Sequence, residues 1–282
     1  MSSLGSVPLL PQEPESTIGY RLPRALQDRR AALVVAHPGH ELRIHGWMVL
    51  AQPVVCVLTD GSGRSGQSRL ESTTRLLAQC SAPLGTIYGR FKDVDIYTAI
   101  LETNFGFFTE LAEELSRAFV RDGVEYVVGD AIEGYNPIHD LCRSVINTAV
   151  ELANRSRTNR IANYDFLVVG LPDLKSDESR AEEIWLRLDE VALDRKLQAA
   201  KSYLEIKDDV AKMISEAGSA SFQFEALRPV MSAVSTDVLV QEPPFYERYG
   251  EKQVSEGYYH RVIRYREHIL PIVDALQNYT QR

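Results

Sequence analysis

The chain has 282 residues, 44% of them hydrophobic and 25% charged, with a formal net charge of −8 at pH 7. That length and apolar content suit one elaborated domain with a substantial core, and the acidic balance argues against nucleic acid or an anionic membrane as a partner. Three cysteines without a CxxC pair make no disulfide framework, and no apolar run reaches the roughly 18 residues of a membrane helix, so a cytoplasmic protein is expected.

The first residues lack the basic and long apolar segments of a secretory leader, and Pro8, Pro11 and Pro14 suggest an extended N-terminal arm over residues 1–30. From Ala31 a short apolar run reads as a buried parallel strand, and it stops at His37-Pro38-Gly39-His40-Glu41. Leu42 to Ala51 is expected to form a short helix, Val54 to Thr59 a strand, and Arg69 to Ala82 a helix. Thr86 to Tyr88 reads as a short strand, Phe107 to Arg121 as an amphipathic helix, and Glu125 to Gly129 as a strand. A second cluster, Gly134-Tyr135-Asn136-Pro137-Ile138-His139-Asp140, follows, then a helix over His139 to Asn154 and a strand over Tyr164 to Leu171.

This alternation implies βαβ units and an α/β fold: a three-layer αβα sandwich with a mostly parallel, Rossmann-like sheet over residues 31–175. A mostly helical C-terminal region, residues 176–282, is expected to pack on the same domain, with helices over Ser179 to Glu216 and Val254 to Gln277, the latter ended or kinked at Pro271. His260 and His268 read as surface residues, and the aromatic cluster Phe245, Tyr246, Tyr249, Tyr258, Tyr259 and Tyr265 as core packing.

Open α/β sheets bind ligands beyond the carboxyl ends of their strands, where His37, His40 and His139 are expected. Three neutral imidazoles suit Zn²⁺ or another divalent metal; the plain alternative is that they close turns and bond backbone carbonyls. Ala36-His37-Pro38-Gly39-His40-Glu41 resembles the Ala-His-Pro-Asp-Asp-Glu signature of the PIG-L/LmbE family of zinc-dependent N-deacetylases, and Asn136-Pro137-Ile138-His139 resembles its His-Pro-Asp-His signature. Val54 to Gly61 resembles the family's second strand and Thr-Asp-Gly turn, and Arg69 to Glu71 the start of the next helix, so the resemblance spans roughly Ala31 to Gly170.

The resemblance implies metal ligands at His37, His40 and His139, a small-molecule substrate carrying an N-acetyl group on a sugar, and a cleft bordered by Asp60 and Arg69. It also shows departures. A ligand Asp has become His40, the general-base Asp has become Gly39, and the oxyanion-stabilising His has become Asn136. Glu41 or Asp140 would then serve as base, and Tyr135 or Asn136 would hydrogen-bond the oxyanion. Two other classes stay open: a catalytically inactive small-molecule or protein-binding module, and an NADP-binding protein using Gly61-Ser62-Gly63-Arg64-Ser65-Gly66 with Arg90. A homo-oligomer is compatible with the sequence.

Overall fold

The computed structural model describes residues 20–170, 183–230 and 242–281. β1 (Ala31–Val35), β2 (Val54–Thr59), β3 (Leu84–Phe91), β4 (Tyr126–Asp130) and β5 (Ala162–Phe166) pair in parallel. β7 (Phe224–Pro229) joins β5 antiparallel and β6 (Ile184–Arg187) joins β7 antiparallel, giving the order β3-β2-β1-β4-β5-β7-β6. Every residue of β1 is buried: Ala32 and Val34 belong to the core on one side of the sheet, and Ala31, Leu33 and Val35 to the core on the other. Alternation of side chains along a strand supplies both faces of this central strand, which explains its unbroken apolar run.

One core receives α3 (Asp93–Leu101), α4 (Phe105–Arg121), α5 (Pro137–Asn154) and α9 (Leu270–Tyr279); the other receives α1 (His45–Ala51), α2 (Leu70–Gln79) and α6 (Glu190–Lys201). This is the expected αβα sandwich. α5 approaches the sheet closely because Gly129 has no side chain: a Cβ there would lie 2.5 Å from Ile146 Cδ1 and 2.7 Å from the Val34 carbonyl oxygen.

Several elements differ from the sequence expectation. The helix expected from Leu42 begins only at His45, because His40–Ile44 form a tighter 3₁₀ turn. β3 runs from Leu84 to Phe91 rather than three residues, with two register irregularities against β2 that obscured its period. The segment expected to be one helix from Ser179 to Glu216 holds β6, then α6 and α7 (Lys207–Ala217); Ile184, Trp185 and Leu186 pair with β7 instead of following a helical period. Tyr164 to Leu171 is strand only to Phe166, and Leu171 lies outside the described residues. Near the C-terminus, α8 (Phe245–Ser255) is followed, after an irregular stretch, by a π-helical turn, Tyr265–Ile269, that runs directly into α9, so Pro271 stands just past a change from π to α winding rather than ending a helix. His268 is buried, not surface, its Nδ1 accepting from the Arg264 N–H at 2.9 Å. Of the aromatic cluster, Tyr246 joins the core, whereas Phe245, Tyr249 and Tyr258 are exposed. Most of the expected arm, residues 1–19, lies outside the described residues; Leu26 is buried in the core. Among the described residues no helix is long and apolar enough to cross a membrane.

Cys56, Cys80 and Cys142 are free and buried. Burial pushes the Cys56 thiol up to about 11 and the Cys80 thiol to about 12, and raises Cys142 also. The thiolate is the reactive form, so at pH 8 the folded protein should take up iodoacetamide far more slowly than a free thiol, and unfolding in denaturant should release all three sites. Rapid native labelling, counted by intact mass, would contradict this packing.

Candidate functional site

In the order β3-β2-β1-β4-β5 the chain winds away from β1 in both directions, so a crevice opens at the carboxyl ends of β1 and β4. His37 follows β1 by two residues, His40 opens the 3₁₀ turn, and His139 is the third residue of α5. Gly39 makes that turn with φ 106°, a conformation that disfavours a side chain. Asn136 caps α5 through its side-chain oxygen, which accepts from the Ile138 N–H at 2.8 Å, and Pro137 starts the helix.

The structure brings the three histidines together. Ring centroids are 4.4 Å apart for His40 and His139, 5.0 Å for His37 and His139, and 5.3 Å for His37 and His40. Two aspartates absent from the sequence-based site support them. Asp130, at the end of β4 and fully buried, accepts from His40 Nδ1 at 2.9 Å and from the Ala36 N–H at 2.8 Å through the same oxygen. Asp93, the first residue of α3, lies 3.0 Å from His37 Nδ1, which is also 2.8 Å from Thr59 Oγ1. Burial pushes Asp93 up, but His37, the Thr59 hydroxyl and the Gly63 N–H outweigh it and hold the carboxyl at about 2. Burial lowers His37, and burial with the neighbouring imidazoles lowers His139 strongly. His37 Nδ1 is thus hydrogen-bonded to Thr59, with the Asp93 carboxyl close beside it.

With their Nδ1 atoms engaged, His37 and His40 have Nε2 left for a further partner. His37 Nε2 and His139 Nδ1 are buried and have no hydrogen-bond partner. Such orphaned atoms are costly in a native interior unless a further group satisfies them. As the side chains stand, no group of three or more His, Cys, Asp or Glu among the described residues is arranged to hold a metal ion. The types of donor present nevertheless fit a divalent cation: three imidazoles, a carboxylate bonded to one and a second beside another, and unpartnered buried nitrogens.

The remaining sequence-identified residues are distributed around this cluster. Glu41 is fully buried; its oxygens accept from the Gly39 N–H at 2.7 Å and Thr73 Oγ1 at 2.8 Å, and burial raises its carboxyl. Asp140, pushed up to about 7 by burial, accepts from the Glu133 and Gly134 N–H groups. Asn136 Nδ2 donates to Tyr97 Oη at 3.4 Å, while Tyr135 is 46% exposed and stacks on Phe245. Asp60 Oδ1 accepts from the Ser62 N–H and hydroxyl, and Arg69 occupies the N-cap position of α2 without a side-chain capping bond. The Asp60–Gly61 turn packs on Pro38, since a Cβ on Gly61 would lie 2.8 Å from that ring.

In the glycine segment, Gly63–Ser65 form a 3₁₀ turn and α2 begins only at Leu70, so the loop does not open directly into a helix as a dinucleotide site requires. Arg90, the residue assigned to an NADP phosphate, is paired with Glu114 at 2.5 Å. Asp93, Asp130 and Thr73 were not singled out from sequence, Thr59 entered only as part of the Thr-Asp-Gly turn and Tyr203 only as an apolar helix position; Thr59 and Asp130, each at the end of an apolar strand, carried a positional signal.

These features define an open, mainly parallel α/β protein with a histidine–carboxylate cluster at its topological switch point. No known family profile matches the chain, and no curated protein does. Among solved structures, the deacetylase of the A40926 pseudoaglycone is similar with a TM-score of 0.48 and 20% identity, over 71% of this chain and 96% of that one. The zinc-inhibited form of teicoplanin deacetylase is similar with a TM-score of 0.45 and 12% identity, over 71% of this chain and 97% of that one.

Proposed function

We propose that this protein is a metal-dependent hydrolase of the N-deacetylase type, acting on an N-acetylated, sugar-containing small molecule. The single observation that carries it is the three-histidine cluster with unpartnered, buried His37 Nε2 and His139 Nδ1. The motif resemblance supplies the reaction class. His37, His40 and His139 would hold a cation such as Zn²⁺, whose chemistry when bound is to acidify water and polarise a carbonyl.

The chain's own residues do the rest. Asp93 and Asp130 orient His37 and His40, leaving Nε2 of each for ligation. Burial keeps His37 and His139 neutral, the form that donates a lone pair. Asp140, raised to about 7 by burial, is the assigned carboxyl whose value lies nearest neutral pH for proton exchange, although it, like Glu41, accepts from two donors. Asn136 and Tyr135 supply an amide and a phenol for the oxyanion, and Asp60 and Arg69 border the substrate. A second function, a binding module without turnover, is favoured by one feature: at Gly39 the turn carries no side chain to accept a proton.

Metal content of protein purified without added metal, measured beside a His37→Ala/His139→Ala variant, tests the proposal. Near-stoichiometric metal in the parent, its loss in the variant, and release of acetate from N-acetylated sugars by the parent alone are expected. A parent that takes up no zinc sinks the hydrolase; zinc uptake without turnover on any N-acetyl substrate leaves the binding module.

A further inference from the structure

The turn that carries His37 and His40 is gripped from behind by residues remote in sequence. Gly39 donates its N–H to Glu41 Oε2 at 2.7 Å, and Glu41 Oε1 accepts from Thr73 Oγ1 on α2 at 2.8 Å. Thr73 Oγ1 is in turn 2.6 Å from the Tyr203 hydroxyl, which also reaches the Arg69 carbonyl at 3.3 Å. Tyr203 lies just after α6 and, like Glu41 and Thr73, is buried. A Cβ on Gly39 would stand 3.3 Å from Ile206 Cδ1 and 3.8 Å from the Tyr203 ring, so the same segment closes on the turn sterically.

A carboxylate without solvent is expensive to bury and persists where several donors fix it. Here two donors reach the carboxylate, one from the turn itself and one from α2, and the hydroxyl of Tyr203, after α6, is bonded to the second of them. One is the N–H of a residue at φ 106°. The distance between the His37 and His40 rings depends on that backbone conformation, because Gly39 is one of the two residues between them.

We infer that Glu41 is a positioning residue: with Thr73 and Tyr203 it clamps the left-handed turn at Gly39 and so sets how His37 and His40 face one another. The C-terminal region thereby takes part in shaping the site without contributing a ligand. This rests on the histidine cluster being the working site, and it replaces a proton-transfer role for Glu41 with a geometric one.

Thr73→Val and Tyr203→Phe each remove one hydroxyl from the clamp with little change of shape, and Glu41→Gln removes the charge. Tyr126→Phe, a buried hydroxyl at the opposite end of β4, is the control. For variants that keep the parent's near-UV circular dichroism, the imidazole signals of His37 and His40 in metal-free protein should move, and zinc affinity should fall about tenfold or more. Tyr126→Phe should change neither. Unmoved imidazole signals in both Thr73→Val and Tyr203→Phe would overturn the clamp, even if Glu41→Gln fails to fold. If the parent binds no zinc, the proposed function fails, while the metal-free imidazole spectra still decide the clamp.

Discussion

Replacing Glu225 with alanine is expected to cost about 3–5 kcal/mol of unfolding free energy, the usual consequence of leaving a buried charge without its partner. Glu225 on β7 is fully buried, 2.8 Å from Lys196 Nζ on α6, and its two oxygens also accept from the N–H groups of Gly46 and Trp47 at the start of α1. One carboxylate therefore ties together a strand and two helices. For a chain of this size the loss corresponds to a fall in Tm of roughly 10 °C.

The deficit should depend on pH in a definite direction. Burial already holds Lys196 below the ordinary lysine range despite the pull of Glu225, and without Glu225 it falls further. Between the folded and unfolded values the unfolded chain binds the extra proton, so stability rises with pH there. The gap between Glu225→Ala and parent should consequently narrow as pH rises from the variant's folded Lys196 value to the parent's, both below the ordinary lysine value of about 10. Urea titrations at neutral and alkaline pH check this; an equal gap at both, or one below about 1 kcal/mol, would contradict the role given to the pair.

The second large effect is expected at Asp130. Asp130→Asn can keep an oxygen toward the Ala36 N–H and His40 Nδ1, since both donate to one carboxylate oxygen while the other has no partner. What it removes is the negative charge behind His40. Under the proposed function, zinc affinity measured by chelator competition should fall about 10- to 100-fold, as is typical when a carboxylate behind a ligand histidine is lost. Because hydrogen bonds are retained, Tm should change much less than in Glu225→Ala. Unaltered affinity would show that Asp130 serves folding alone.

The parts of the site that sequence made legible are those carried by short contiguous stretches. An apolar run ending in His37-Pro38-Gly39-His40 announces a strand end with two imidazoles, and the helical period from His139 announces a helix, which starts two residues earlier, at Pro137. Asp93 left no such signal, because it sits in the first turn of a helix with acidic residues on both sides of Val94, where a favourable dipole interaction is sufficient explanation. Tyr203 and Thr73 were equally silent: hydroxyls on helical segments acquire meaning only when two segments meet. β6 was hidden because four residues are too few to display a period of two against the surrounding helical pattern.

What the sequence determined by itself was therefore the alternation of elements, the buried central strand and the three imidazoles, since local periodicity and local turn chemistry encode these directly. Tertiary structure alone decided that β6 and β7 extend the sheet, that Asp93 and Asp130 stand behind His37 and His40, and that Glu41 turns to Thr73 and Tyr203. Those are pairings across long stretches of chain, and their partners are selected by the need to satisfy buried polar groups once the layers have packed.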